Sequence, residues 1–206
     1  MANIGEEGLG SPDLEIGPAQ PRHIRVHIGR TAFCYFVAAA ASIGYGVGIL
    51  LLFSGGHGLV SSTAAILAGI VAAAMLPRFL GYYRTFRTHG PTIARATFVY
   101  GVAATTFFAL AMTGAHAASG SFSTRDVVLV VLGYVALGPV FILEGAALIV
   151  LRRFTFSPSI ALIAGVLFIV GGSFVASIFL SIYGGFFVLA PALMLGGIVL
   201  AKTPTP

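Results

Sequence analysis

The chain has 206 residues, of which 58% are hydrophobic and only 8% are charged, and its mean hydropathy is +1.01. Because soluble domains carry about 25% charged residues, this composition excludes a water-soluble globule and predicts an integral membrane protein. The formal charge of +5 is attributed to membrane topology, since cations accumulate in cytoplasmic loops, and we expect no nucleic-acid partner.

The residue types required for most chemistry are missing from the apolar segments. Cys34 is the only cysteine, which excludes an internal disulfide and a thiolate metal cluster. Lys202, the only lysine, lies at the end of the last apolar run, so no Schiff-base lysine lies in mid-membrane. No apolar segment contains an aspartate or a nucleophile paired with a base. We therefore predict that the protein is not an enzyme and has no cofactor.

Residues 1–30 are polar and rich in glycine and proline, and they change from acidic to basic along the chain. This pattern predicts a flexible cytoplasmic tail that ends in a cationic stretch next to the membrane. Residues 202–206 are predicted to form a second, short cytoplasmic tail.

Six apolar runs of nearly membrane-spanning length follow the first tail. They cover residues 32–53, 59–76, 96–117, 127–151, 159–183 and 186–201, and a helix of about 20 residues crosses a bilayer. The predicted fold is therefore all-α, a polytopic bundle of six helices within residues 31–201. A tight turn at Tyr183-Gly184-Gly185 joins the last two runs, and the last run is short, so a tilted or partly re-entrant sixth helix is an alternative.

The distribution of positive charge predicts the orientation of the helices. Ten of the eleven cations fall on one side of the predicted membrane: Arg22, Arg25, Arg30, Arg78, Arg84, Arg87, Arg95, Arg152, Arg153 and Lys202. Only Arg125 falls on the other side. Because cytoplasmic loops carry the excess of lysine and arginine, both termini are predicted to be cytoplasmic, in a multi-pass protein of the cell (inner) membrane.

Parts of the sequence recur along the chain. Residues 33–39 (FCYFVAA) and 98–104 (FVYGVAA) share five of seven positions, and a second pattern recurs at 66–69 (ILAG), 142–145 (ILEG) and 194–197 (MLGG). Three tandem helical hairpins explain these matches, and chance similarity among helices rich in alanine, leucine and glycine is the alternative.

These hydrophobic hairpins, with a glycine late in the second helix, resemble the HdeD-type family of small six-helix bacterial membrane proteins. The resemblance covers the bundle and implies a stress-associated inner-membrane protein. It assigns no functional residue.

Glu144 is the only acidic residue deep in a predicted span, about seven residues from the cytoplasmic end of the fourth helix, or roughly 10 Å. A carboxylate in hydrocarbon is costly, so this one must be protonated, paired or hydrated. Tyr100 lies at a similar predicted depth and is the first candidate partner, with Tyr35 as its counterpart in the repeat. Arg152 and Arg153 are further candidates that could draw Glu144 toward the interface.

Two other features lie near Glu144 in the predicted bundle. Pro139 interrupts the fourth helix and frees a backbone carbonyl, as in the broken helices of transporters. Ser173, Ser177 and Ser181 recur at four-residue spacing on the fifth helix. These serines could line a polar pathway, but packing is favoured, because serine hydroxyls bond carbonyls of their own helix.

Two further sets of residues are candidates for binding. His57, His116 and Asp126 fall at external helix ends and could hold a metal, although solvated loop residues are the favoured interpretation. Arginines and tyrosines alternate after the second span and predict contact with anionic headgroups on the cytoplasmic side of the bilayer. The residues of this interfacial segment are Arg78, Tyr82, Tyr83, Arg84 and Arg87.

The sequence therefore supports two hypotheses of function. The first is a non-enzymatic accessory or scaffold subunit of a membrane complex, with protein partners or further copies of itself, because small packing residues dominate and polar residues are few. The second is a small proton- or cation-coupled transporter or channel that uses Glu144. An HdeD-like stress-associated protein is a weaker alternative.

Overall fold

The computed structural model describes residues 22–53, 59–117, 124–177 and 184–203. Within these ranges the protein is all-helical, without strands, as predicted. The six helices are α1 (Arg22–Phe53), α2 (Leu59–Phe86), α3 (Pro91–Ala117), α4 (Thr124–Leu151), α5 (Pro158–Ala176) and α6 (Phe186–Lys202), and a 3-10 turn (Arg152–Phe154) follows α4.

Three of the described helices contain segments that are long and apolar enough to cross a membrane. These segments are Pro91–Met112 in α3, Val127–Phe154 in α4 and the adjoining turn, and Pro158–Ala176 in α5. The apolar segments of α1 and α6 are shorter, Ala32–Gly48 and Phe186–Lys202.

One predicted helix end is wrong in α2, which was expected to stop before Pro77 and instead continues to Phe86. Membrane helices tolerate proline because neighbouring helices satisfy the freed backbone groups. Phe79, Tyr82 and Phe86 recur at helical spacing, and all three are buried. Burial of this aromatic row therefore keeps α2 helical beyond its proline.

The first helix also exceeds its predicted length, because α1 begins at Arg22 rather than at residue 32. Residues 22–30, predicted to belong to a flexible tail, are helical. The end of an apolar run therefore does not show where its helix ends, because arginine and other polar residues with good helix propensity can continue the helix beyond the run.

The helices form a closed ring in chain order. Each helix packs against the next one along the chain, and α6 packs against both α5 and α1. The centre of the ring is filled by large buried side chains, among them Tyr35, Tyr45, Phe108, Phe141 and Phe168. Apart from the contact between α6 and α1 that closes the ring, neighbouring helices are also neighbours in sequence.

Residues at matching positions of the proposed repeat do not lie in equivalent surroundings. Tyr35 is buried in the ring, whereas its counterpart Tyr100 is 38% exposed. In the second pattern, Gly197 packs against Tyr35, but a Cβ atom at Gly69 would meet no described atom within 4 Å. The tandem repeat therefore stays a prediction from the sequence.

The closest helix contact lies between α4 and α5, along four glycines that we call the glycine seam: Gly138, Gly145, Gly165 and Gly172. A Cβ atom at Gly138 would lie 2.7 Å from the Gly172 carbonyl oxygen, and one at Gly165 would lie 2.7 Å from the Gly145 carbonyl oxygen. Any side chain there would force the backbones apart. Such close approach supplies the attraction between helices when lipid removes the hydrophobic driving force.

Candidate functional site

The centre of the ring holds an ion pair between Arg78 of α2 and Glu144 of α4. Nη2 of Arg78 lies 2.5 Å from Oε2 of Glu144, and both side chains have 0% exposure. In the ring, α3 separates α2 from α4, so the long arginine side chain reaches across the interior. Of the alternatives for Glu144, the structure therefore shows the paired one.

Tyr35 of α1 provides the second contact of the carboxylate. Its hydroxyl donates to Oε1 of Glu144 at 2.6 Å, and only 1% of its surface is exposed. Each oxygen of Glu144 thus accepts a hydrogen bond from a different helix. The three residues link α1, α2 and α4, and we call them the ionic cluster.

Four aromatic rings surround the Arg78 guanidinium. The centroids of Phe79, Tyr35, Phe141 and Phe168 lie 4.8, 5.1, 5.3 and 5.7 Å from its central carbon. A cation over an aromatic ring gains about 0.5–2 kcal/mol, more when water is excluded. These rings therefore offset part of the cost of removing the arginine from water.

The ionic cluster also has unused hydrogen-bonding capacity. Among the described residues, Nε and Nη1 of Arg78 and the hydroxyl of Tyr82 have no hydrogen-bond partner, although all three atoms are buried. Tyr82 is one turn after Arg78 on α2 and close enough to Glu144 for the two to interact electrostatically. Buried donors without partners are costly.

A second polar layer lies farther along the ring interior. The hydroxyls of Tyr45 and Tyr134 are 2.7 Å apart, and the Tyr45 hydroxyl also lies 3.4 Å from the sulfur of Met112. Phe108 and Phe186 pack edge-on against both tyrosines. The interior therefore contains two polar layers, of which only the ionic cluster carries charge among the described residues.

The predicted partners of Glu144 are partly wrong. The Tyr100 hydroxyl donates instead to the Ala136 carbonyl at 3.3 Å, next to the Val135 carbonyl that Pro139 leaves without a donor. Arg152 and Arg153 are exposed in the turn after α4. Tyr35, which matches Tyr100 in the proposed repeat, is the tyrosine that contacts the Glu144 carboxylate.

The predicted interfacial segment is also corrected by the structure. Arg78 and Tyr82 are buried in the ring and do not face headgroups, because α2 continues through this segment and turns one face inward. Arg84 and Arg87 are exposed, and Tyr83 is half-buried, beside Phe98 with the ring centroids 5.5 Å apart. Headgroup contact therefore stays a prediction for the outward residues of the segment.

The serines of α5 do not line the ring interior. Ser173 and Ser177 are exposed, and their hydroxyls donate to carbonyls of their own helix, Ile169 at 2.8 Å and Phe174 at 3.2 Å. The pathway interpretation is wrong for these two serines. Ala161 and Gly165, which lie earlier on the same four-residue row of α5, are buried, because such a row turns by about 40° per step around the helix.

The metal candidates cannot be assembled from the structure. His57 and Ser181 lie outside the described residues, as do the side chains of His116 and Asp126. In the part of the chain that is described, no three histidine, cysteine, aspartate or glutamate residues come together.

Tyr35→Phe is expected to destabilise the folded protein by about 1.5–3 kcal/mol, because the variant loses the hydroxyl that donates to the charged Glu144 carboxylate. The midpoint of thermal unfolding, followed by far-ultraviolet circular dichroism, measures this loss. Tyr100→Phe is the matched control, since its half-exposed hydroxyl makes a longer bond to a backbone carbonyl. Equal effects of the two substitutions would contradict the assignment of Tyr35 to the ionic cluster.

Comparison with known proteins gives no match: no family model, no curated protein and no solved structure is significantly similar to the chain. The resemblance to the HdeD-type family therefore rests on the hairpin pattern alone.

Proposed function

We propose that the chain is a non-enzymatic, multi-pass protein of the cell membrane, and that it couples the movement of protons to that of a small solute. In this proposal Glu144 gains and loses the proton, and Arg78 is its counter-charge. The observation that carries the proposal is the fully buried Arg78–Glu144 pair at the centre of the ring.

The outer surface of the ring supports the membrane part of the proposal. Every helix exposes large apolar side chains, for example Phe33, Ile66, Leu110, Val150, Ile163 and Met194. The described cations outside the ring interior include Arg84, Arg87, Arg95 and Lys202, all of them exposed and on the predicted cytoplasmic side. The lengths of the apolar runs favour six crossings, and the charge rule then favours both termini in the cytoplasm.

The energetics of buried ion pairs favour a functional role for the cluster. Replacing such a pair by well-packed apolar residues is often neutral or stabilising, so a buried pair is a poor way to hold a fold together. Ionisable residues inside membrane segments commonly belong to ion or proton pathways. The ionic cluster therefore supports transport more than passive assembly.

Two prolines support the mobility that transport requires. Pro77 directly precedes Arg78, and Pro139 precedes Glu144 by about one and a half turns. A proline removes a backbone hydrogen bond and allows a helix to bend. Bending at either proline would change the distance between the two charges.

The charge balance favours a proton over other cations. Arg78 already neutralises Glu144, so the cluster has no net negative charge to attract a metal ion. A proton can bind the carboxylate covalently once the pair separates. The proposal is therefore narrower than the cation-coupled alternative inferred from the sequence.

The accessory-subunit hypothesis has less support from the geometry. It was motivated by the dominance of small packing residues, but the glycine seam is used within the chain. Its other motivation was a shortage of polar residues, and the ring interior contains two polar layers.

Glu144→Gln is expected to abolish proton-coupled flux, because the amide cannot take up and release a proton at this position. The purified protein would be placed in liposomes containing a pH-sensitive dye, and small carboxylates, halides, amino acids and amines would be added in turn. Small carboxylic acids and amines also cross the bilayer unaided as neutral molecules, so protein-free liposomes give the background. Any change of internal pH above this background with the wild type should be absent with the variant.

Arg84→Gln is the control in the flux assay, because it removes an exposed cation from the same helix as Arg78. Wild-type liposomes that respond to none of these solutes would overturn the proposal. A stoichiometric partner chain in native mass spectrometry would then favour the accessory subunit.

A further inference from the structure

The unused donors beside Glu144 suggest a ligand for the ionic cluster. Arg78 has five N–H donors, and among the described residues only Nη2 has a partner. The Tyr82 hydroxyl, one turn away on the same helix, is also unpaired and buried. A group that accepts hydrogen bonds from both side chains would satisfy them, and a group that only donates would not.

The charge of the cluster depends on the proton that Glu144 carries. With Glu144 ionised, the pair is neutral; with Glu144 protonated, Arg78 is an isolated buried cation. The described titratable or charged groups that face Glu144 are Tyr35 of α1, with Arg78 and Tyr82 of α2, and α5 contributes the apolar Phe168. Glu144 is the only carboxylate among the described side chains, so none of the others can replace it as the counter-charge.

We propose that Arg78 and Tyr82 form a binding site for a small monovalent anion, which enters when Glu144 takes up a proton. The inference rests on the proposed function and names its solute as an anion that moves together with the proton. When a proton neutralises Glu144, the anion takes its place as the counter-charge of Arg78. The net charge of the buried cluster is therefore zero in both states. This balance avoids an uncompensated charge inside the membrane.

The surroundings of Arg78 restrict the size of the anion. The four aromatic rings lie close around the guanidinium, so the ligand must be small, and the donors that it can satisfy are Nε and Nη1. Phe79 is itself held by α3, because a Cβ atom at Gly101 would lie 2.6 Å from the Phe79 ring. Halides, nitrate and formate are small monovalent acceptors and are the probes, whereas the much larger gluconate serves as the reference anion.

The test measures anion binding by the purified protein and requires no transport. Thermal unfolding is followed while chloride, nitrate or formate replaces gluconate at constant ionic strength, at acidic and at neutral pH. At least one probe should raise the unfolding midpoint more at acidic pH. If anion and proton bind together, the apparent affinity falls by about tenfold for each unit of pH increase above the titration of Glu144.

Variants distinguish anion binding at Arg78 and Tyr82 from general effects of salt on stability. Glu144→Gln mimics the protonated acid, so its anion affinity should be high and independent of pH. Tyr82→Phe should weaken binding several-fold, and Arg78→Gln should abolish it. Arg84→Gln should bind as the wild type does, because Arg84 is exposed and outside the cluster.

Two outcomes would overturn the inference. In the first, no probe stabilises the wild type at either pH more than gluconate does. In the second, Glu144→Gln and Tyr82→Phe bind the anion with the pH dependence and affinity of the wild type. Proton-coupled flux of a different solute would still support the proposed function in either case, and anion binding without flux would reject the function but support the site.

Discussion

Arg78→Met is expected to destabilise the protein by about 3–5 kcal/mol, because it leaves the Glu144 carboxylate buried without its counter-charge. Methionine fills much of the same space, so the loss comes from the charge and not from a cavity. The aromatic rings around Arg78 also lose their cation. The thermal unfolding midpoint in detergent, followed by far-ultraviolet circular dichroism, should fall accordingly.

The double variant Arg78→Met/Glu144→Leu is expected to recover most of this loss, because apolar residues of similar volume replace a buried pair without an orphaned charge. A folded double variant that moves no protons would show that the pair serves function rather than stability. Arg84→Met is the control, and its exposed position predicts a change within about 0.5 kcal/mol. The ion pair would be rejected if Arg78→Met had no larger effect than this control.

The sequence predicts most helix positions because hydrophobic length is a strong signal in membrane proteins. It fails at the end of α2, where Pro77 followed by Arg78 has the pattern of a cytoplasmic helix end. The contrary signal is the helical spacing of Phe79, Tyr82 and Phe86, which are buried against the ring interior. Aromatic spacing beyond a charged residue was therefore more informative than the charge.

Glu144 was identifiable from the sequence because a lone acid in an apolar segment must be satisfied somewhere. Its main partner was missed. Arg78 lies about eight residues before the end of α2, and Glu144 lies about seven before the end of α4. Helices that run in the same direction place these residues at matching depth, but that depth is evident only once α2 is known to continue to Phe86.

The choice between Tyr35 and Tyr100 could not be made from the sequence. The two tyrosines occupy equivalent positions in similar segments, yet one side chain faces the ring interior and the other is 38% exposed. The direction in which a helix faces depends on its neighbours in the ring. A closed ring gives α1 two neighbours that are distant in sequence from each other, α2 and α6.

Gly172→Ala is expected to destabilise the protein by up to about 3 kcal/mol, because the new methyl group overpacks the glycine seam. A Cβ atom at Gly172 would lie 2.7 Å from the Gly138 carbonyl oxygen and 2.9 Å from the Phe141 side chain. Neither α4 nor α5 can yield locally, since Gly145 and Gly165 are in equally close contact along the same seam.

Gly69→Ala is the matched control in thermal unfolding, because the same methyl group would meet no described atom within 4 Å on an exposed face of α2. Alanine favours a helix over glycine by about 1 kcal/mol, so this variant should be neutral or more stable. Both substitutions replace glycine by alanine, but the expected changes in stability have opposite signs. A shift of both unfolding midpoints in the same direction would contradict the close contact between α4 and α5 along the glycine seam.

Separation of α4 from α5 should also disturb the ionic cluster. Gly145 directly follows Glu144, and Phe141 stacks on Phe168 across the same contact with the ring centroids 6.1 Å apart. Both rings contact the Arg78 guanidinium. Gly172→Ala should therefore weaken anion binding as well as stability, whereas Gly69→Ala should leave both intact, because the position of Glu144 is set by how closely its helix packs against α5.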